Sequence, residues 1–254
     1  MRIGILGAGW LGTPLAHFLK DNDHQVKVSV RSVEKQNKLQ NQGLQTHLLH
    51  LTEDKILGDL SFFESIDVLI VSLTPQAIEV FKHLISEIIQ WQIPKVILFS
   101  STGIYADCEG VVTETSLLKT DRPKVALLKS IEELFLQNNE FTTTVLRLGG
   151  LIGPDRHPVH YLAKKDVITD GNEPVNILYQ DTLLTIVVAL LQTKMSHTVF
   201  NVVEKEHRSK EAFYTEAAIK LGLSLPPFSA SLPHRNRVVS TEKIESFLNI
   251  KPPI

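Results

Sequence analysis

The chain has 254 residues, 43% of them apolar and 21% charged, which suits one large α/β domain or a nucleotide-binding core with a small appended lobe. A net charge of −2 and a pI near 6.6 argue against a nucleic-acid or anionic-membrane surface. The single Cys108 excludes an intramolecular disulfide and a cysteine cluster for zinc, no apolar run reaches transmembrane length, and the Ile3–Leu6 run is too short for a signal-peptide core, so the expected compartment is the cytoplasm.

Ile3 to Leu6 reads as a strand, followed by a glycine turn, a helix opening near Trp10, and a second strand from Val26 into Arg31. Gly7, Gly9 and Gly12 stand in the order G-x-G-x-x-G inside that strand–turn–helix–strand unit. The first glycine allows the tight turn, the second lets a pyrophosphate approach the backbone, and the third lets helix pack on strand. The helix N-terminus adds free N–H groups and a partial positive charge. Gly7, Gly9, Trp10, Leu11 and Gly12 are therefore expected to bind a dinucleotide.

Ser32 to Gln42 is polar and helix-compatible, with Gly43 ending it. Thr46–Leu51 and Asp67–Val71 read as the third and fourth strands, the latter stopping at Ser72, Leu73, Thr74 and Pro75. Ala77 to Trp91 is an amphipathic helix, with Ile78, Phe81, Ile85, Ile88 and Ile89 on its apolar face. Lys95–Phe99 is a fifth strand ending in Ser100, Ser101, Thr102, Gly103, Ile104 and Tyr105. A helix over Lys124–Asn138 and a sixth strand over Thr143–Leu148 follow. Strands of about five residues alternating with helices of about ten to fifteen are what crossover units require. The expected fold is α/β: a Rossmann-type doubly wound parallel sheet with helices on both faces and a small C-terminal substrate lobe.

Beyond Leu148 turn formers dominate, and Gly149 to Pro158 reads as an ordered loop near a pocket. Asp181 is expected to cap a helix through Leu191, Val199–Val203 to form a late strand, and Ser209 to start a helix running to Gly222. The proline-rich segments at Leu225–Phe228 and Lys251–Ile254 are expected to pack irregularly. The division expected is a nucleotide-binding core at residues 1–150 and a substrate lobe at 151–254 that partly returns to the sheet.

For NAD, the end of the second strand usually carries an acid for the ribose 2′-hydroxyl. Val26 to Val33 holds none; Arg31 and Ser32 occupy the tip, with Lys35 beyond. An acid would repel a 2′-phosphate, whereas a guanidinium grips it bidentately, so NADP(H) is favoured over NAD(H). The alternative is a solvated Arg31, or one stacked on the adenine of NAD.

The order of these motifs resembles the extended or atypical short-chain dehydrogenase/reductase superfamily, specifically NAD(P)-dependent epimerase/dehydratase-like proteins, over nearly the whole chain. Beside the glycine turn it rests on Leu49–Thr52, similar to the adenine-side turn and placing Leu51 there, and on Ser100–Tyr105, similar to the serine-bearing strand end. Lys129–Glu133 resembles the helix with the active-site lysine, and Leu146–Arg156 the sixth strand with its G-P-x-R loop. Asn176–Asp181 and Phe200–Val202 also have counterparts. The resemblance implies cofactor contacts from Leu51 and Lys129 and catalytic roles for Ser101 and Lys129, while Ser72, Leu73 and Thr74, at the carboxyl end of the fourth strand where open parallel sheets bind ligands, are expected to touch the cofactor through their backbone. It implies a small polar, sugar-like substrate met by Thr102, Gly150 and Arg156.

In that chemistry a tyrosine moves the proton, a lysine holds the nicotinamide ribose and lowers the tyrosine pKa, and a serine hydrogen-bonds the substrate oxygen. The tyrosine should precede Lys129 by four residues, but that position is Val125. Either Tyr105 substitutes, or the standard reaction has been lost and the protein is a dinucleotide-binding sensor or interaction partner. His157 and His160 lack a third ligand at a telling spacing, so no metal is expected. No nucleic-acid or membrane partner is expected, and a homodimer is left open.

Overall fold

Alternation of apolar residues along the strands decides the architecture. In the fourth predicted strand Val68 and Ile70 face one hydrophobic cluster and Leu69 and Val71 another, so both faces of the sheet must be covered. The computed structural model describes residues 1–229 and 236–249; the Lys251–Ile254 segment lies outside the described residues.

The first half runs β1 (Arg2–Leu6), α1 (Gly12–Asp21), β2 (Gln25–Val30), α2 (Val33–Asn41), β3 (Gln45–Leu51), β4 (Ile56–Gly58), β5 (Val68–Val71) and α3 (Ile78–Gln90). It continues with β6 (Lys95–Ser101), the short β7 (Val111–Val112), α4 (Pro123–Leu136) and β8 (Thr142–Leu148). After these come β9 (Gly150–Ile152), the one-turn α5 (Val159–Leu162), β10 (Ile177–Tyr179), α6 (Gln180–Leu191) and β11 (Thr198–Val202). The last described elements are α7 (Lys210–Lys220), β12 (Val238–Val239) and α8 (Glu242–Leu248).

Eight strands form the main sheet in the order β11-β8-β6-β5-β1-β2-β3-β4, all parallel except β4, which runs antiparallel to β3. The strand order reverses between β1 and β5, and there the carboxyl ends of a doubly wound sheet open a ligand crevice. Leu15 and Leu19 of α1, Leu183 and Val187 of α6 and Ile244 of α8 cover one face. Phe81, Leu84 and Ile88 of α3 and Phe135 of α4 cover the other. The expected doubly wound sheet with helices on both faces is what the chain forms. Two small parallel pairs, β9 with β10 and β7 with β12, bind the last third of the chain to the sheet edge, and β11 extends the sheet beside β8.

Local chemistry accounts for the differences from the sequence reading. The α1 helix starts at Gly12 rather than near Trp10, because Gly9, Trp10 and Leu11 are still turning. Tyr179, not Asp181, is the N-cap of α6; Asp181 sits in the first turn, where its charge meets the positive end of the helix. Ser32 and Ser209 do cap, accepting hydrogen bonds from the Lys35 and Ala212 backbone. The β4 strand and a 3₁₀ turn over Leu60–Phe63 were not anticipated. The turn follows from Asp59, which accepts from the Ser61 N–H, and from Phe62 and Phe63, both fully buried.

Candidate functional site

The glycine turn lies at the carboxyl end of β1, and its three glycines have three different reasons. Gly7 has φ +103°, a left-handed conformation, and a Cβ there would meet the Ser72 carbonyl oxygen at 2.6 Å. A Cβ on Gly12 would lie 2.1 Å from the Gly7 carbonyl oxygen, so helix and strand close only without one. At Gly9 a Cβ would meet nothing within 4 Å. That glycine is not needed by the protein's own packing; the space beside it is free for a ligand. Among the described residues the Trp10 and Leu11 N–H groups have no backbone acceptor, α1 has no capping side chain, and no acid stands in its first turn. Donors, helix dipole and open backbone together fit a pyrophosphate.

Ser72 and Leu73 close the same turn from β5: the Ser72 N–H donates to the Leu6 carbonyl, and Thr74 is exposed just beyond. Ser29 of β2 fixes the loop from below, its hydroxyl accepting from Gly7 N at 2.9 Å. Arg31 stands exposed at the tip of β2 with no ion pair or hydrogen bond to the described residues, while the Ser32 hydroxyl accepts from Lys35 N at 3.3 Å. Leu51 ends β3, half buried against the Phe62 cluster and paired with Ile56 of β4.

A cavity of about 320 Å³ opens beside the carboxyl ends of β6 and β8. Ser101, Thr102, Gly149 and Gly150 form its sheet side; Glu173, Asn176, Lys210, Tyr214 and Arg237 come from the last third of the chain. The Ser101 hydroxyl accepts from Gly103 N at 3.0 Å, capping a 3₁₀ turn, and no described protein group takes its proton. The Thr102 hydroxyl is committed, donating to the Leu148 carbonyl at 3.2 Å. Ser209 caps α7, whose first N–H groups donate to the Glu173 and Gly171 carbonyls; this docking brings Lys210 and Tyr214 to the cavity.

Three residues expected at the reaction centre stand elsewhere. Tyr105 is fully buried and does not line the cavity. Its hydroxyl donates to Asn201 Oδ1 at 2.8 Å and accepts from Arg147 Nη1 at 2.6 Å, and burial pushes its pKa up. A phenol so held is committed to Asn201 and Arg147 and stands outside the cavity lining. Lys129 does not line the cavity either; its side chain is 42% exposed and its ammonium lies a loose 3.5 Å from Glu133. Arg156 stacks over the Trp10 ring, 5.0 Å from its centroid, while Asp155 accepts from Trp10 Nε1 at 2.6 Å. Gly153 makes room for that ring: a Cβ there would come within 2.6 Å of it. Arg156 thus belongs to a clasp between the lobe and the glycine turn and not to the cavity.

Beneath the cavity runs a polar network that the sequence reading did not find. Arg147, in β8, has a side chain 6% exposed; its guanidinium gives Nε to both Glu132 oxygens at 3.1 Å and Nη2 to Oε2 at 2.7 Å. Ser100 donates to the same carboxylate at 2.5 Å. Burial opposes the Arg147 charge, but Glu132's hydrogen bonds and charge outweigh it and raise the guanidinium pKa. The signal was present: Glu132 falls on the α4 face that also carries Val125, Leu128 and Phe135, and Arg147 interrupts an apolar strand. One charge of each sign at a core position marks a buried pair. Val125 itself is 1% exposed, packed with Ile104, Tyr105, Cys108 and Leu128.

The fold is one shared with solved structures of nucleotide-sugar epimerases. The particular relatives are the following. The chain is 29% identical over 242 residues to the protein YeeZ of Escherichia coli K12, spanning 91% of this chain and 88% of that one. A functionally unknown conserved protein from Silicibacter pomeroyi superposes with a TM-score of 0.82 at 20% identity, covering 99% of this chain and 94% of its own. The UDP-glucuronic acid 4-epimerase of Bacillus cereus, solved with UDP-glucuronic acid and NAD, gives 0.78 at 21% identity over 100% and 95%. No family model matches the chain. Among the described residues no helix is long and apolar enough to cross a membrane.

Proposed function

We propose that the protein is an NADP(H)-binding oxidoreductase or epimerase acting on a nucleotide-sugar-like substrate. The observation that carries this reading is Gly9: a glycine that packing leaves free, beside unsatisfied N–H groups, at the reversal point of a sheet whose neighbouring strand ends open into a polar cavity. The likeness to a sugar-nucleotide epimerase solved with NAD supports the substrate class and the dinucleotide. The preference for NADP(H) rests on Arg31, exposed and free at the tip of β2, with no acid between Val26 and Val33.

Residues 1–150 would form the nucleotide-binding core and 151–254 the substrate lobe. Gly7, Gly9, Trp10, Leu11 and Gly12 would hold the pyrophosphate, Arg31 and Ser32 the adenosine ribose, Leu51 the adenine side, and Ser72, Leu73 and Thr74 the middle of the cofactor. When bound, the nicotinamide supplies hydride transfer. The Ser101 hydroxyl, its proton uncommitted, would donate to the substrate oxygen, and Gly150 would let the substrate approach the backbone. The Thr102 hydroxyl is taken by Leu148, so Thr102 would shape the wall rather than bond the substrate. Lys129, only loosely paired with Glu133, would turn to the nicotinamide ribose.

A second reading has its own observation. Val125, where the family's chemistry places tyrosine, is sealed in an apolar cluster, which favours a dinucleotide-binding protein that performs no turnover. Purified protein incubated with NADPH or NAD and a panel of carbonyl compounds and nucleotide sugars separates the two. Turnover lost in Ser101→Ala and Lys129→Ala supports the enzyme; cofactor binding without turnover, indifferent to both variants, supports the sensor.

A further inference from the structure

The lobe side of the cavity holds a polar group that none of the described residues bonds. Tyr214, on the inward side of α7, is 8% exposed and lines the same cavity as Ser101. Its ring is fixed by packing: His157 lies edge-on with centroids 6.1 Å apart and Phe213 at 5.1 Å. Its hydroxyl nevertheless has no hydrogen-bond partner among the described residues. Buried tyrosine hydroxyls ordinarily find one, because an unmade hydrogen bond costs more than a made one gains. A phenol held by its ring on a residue that lines a cavity, its hydroxyl without a partner among the described residues, is suited to a ligand.

The surrounding charges say what that partner is. Lys210, one turn before Tyr214, is ion-paired with Asp170 and lies 2.7 Å from Glu173 Oε2. The Arg237 guanidinium donates to the Tyr105 carbonyl at 2.6 Å. Among the described residues the Lys210 ammonium is thus engaged by two carboxylates and is not presented to an anionic ligand. Burial raises the Tyr214 pKa to about 12, keeping the phenol protonated and a hydrogen-bond donor at neutral pH. Glu173 adds an acceptor on the same wall.

Resting on the nucleotide-sugar reading above, we infer that Tyr214 is a substrate-binding donor that recognises an uncharged, hydroxyl-rich moiety at the end of the cavity opposite Ser101. The pair of hydroxyls then grips the substrate from both walls, one from the sheet and one from the lobe. Specificity for a neutral sugar over a sugar acid follows from the engagement of Lys210 by Asp170 and Glu173.

The test is calorimetric titration of the full-length protein with UDP-glucose and with UDP-glucuronic acid, at saturating NADPH, for wild type and Tyr214→Phe. Wild type should bind UDP-glucose more tightly than UDP-glucuronic acid, and Tyr214→Phe should weaken UDP-glucose about ten-fold, the loss of one neutral hydrogen bond. NADPH affinity should be the same in both proteins. Because no group among the described residues uses the hydroxyl, Tyr214→Phe should keep the wild-type melting temperature or exceed it. Equal UDP-glucose affinity in the two proteins, or a lowered melting temperature in the variant, overturns the assignment while leaving the nucleotide-sugar reading intact. Tighter wild-type binding of UDP-glucuronic acid overturns the neutral-moiety claim. A wild type that binds NADPH but neither sugar nucleotide overturns the nucleotide-sugar reading, and this inference with it.

Discussion

Replacing Glu132 by leucine tests whether the buried network under the cavity is a structural support of the crevice. The variant removes a carboxylate that receives three N–H···O contacts from Arg147 and one O–H from Ser100, all inside the core. The Arg147 guanidinium would keep only the Tyr105 hydroxyl as acceptor, in a site where its side chain is 6% exposed. Stranding a buried charge in this way costs about 3–5 kcal/mol. For a chain of this size that lowers the melting temperature by roughly 10 °C. Removing both charges in Glu132→Leu/Arg147→Met replaces the pair with apolar groups of similar volume and should recover most of the loss, to within about 1–2 kcal/mol of wild type. Urea denaturation followed by circular dichroism, with the slope unchanged among variants, gives the three free energies. A Glu132→Leu loss below about 1 kcal/mol, or a double variant no better than the single, would refute the reasoning.

Three further outcomes follow from single contacts. Gly12→Ala pushes a methyl to 2.1 Å from the Gly7 carbonyl and should destabilise by about 1–3 kcal/mol in the same assay, a neutral result contradicting the tight helix–strand contact. Arg31→Ala should weaken NADPH about ten-fold or more and leave NADH unchanged; equal affinities for both cofactors, unaltered by the substitution, would remove the 2′-phosphate role. Burial, with His160 adding, holds His157 below the ordinary imidazole value of about 6.5. The unfolded chain then binds that proton first, so stability present above about pH 6.5 is lost as pH falls through His157's lowered folded pKa. His157→Phe should flatten the fall in melting temperature between pH 7 and pH 5 relative to wild type (His24, also held low by burial, keeps its own share), and an identical slope in both proteins would exclude His157 as a cause.

The fold was legible because its signals are local and periodic. The alternation in Val68–Val71 and the three-and-four spacing of Ile78, Phe81, Ile85 and Ile88 state which faces are buried, and the glycine turn states where the sheet begins its crevice. Boundary errors fell where composition points to the wrong residue, as at Asp181, a favoured cap that lies two residues inside the helix opened by Tyr179. The site was legible only on its sheet side. Ser101, Thr102 and Gly150 were named because they lie at or just beyond the carboxyl ends of β6 and β8, whereas Glu173, Lys210, Tyr214 and Arg237 come from separate segments that only the docking of α7 and β12 brings to the cavity. Tyr105 and Arg156 misled for the same reason. Each has chemistry suited to a site, but one is claimed by Asn201 and Arg147 and the other by Trp10, partners up to 146 residues away that no spacing announces.

The central claim is that the glycine turn holds a dinucleotide, and Gly9 isolates it because the added methyl of Gly9→Ala meets nothing in the protein. Titration of NADPH and NADH into wild type and Gly9→Ala, with the melting temperature of each, is the direct measurement. The account predicts that wild type binds, that Gly9→Ala keeps the wild-type melting temperature, and that its affinity falls by about ten-fold or more as the methyl takes the space of the pyrophosphate. A wild type that binds neither dinucleotide, or a Gly9→Ala variant that binds as tightly as wild type, would contradict it.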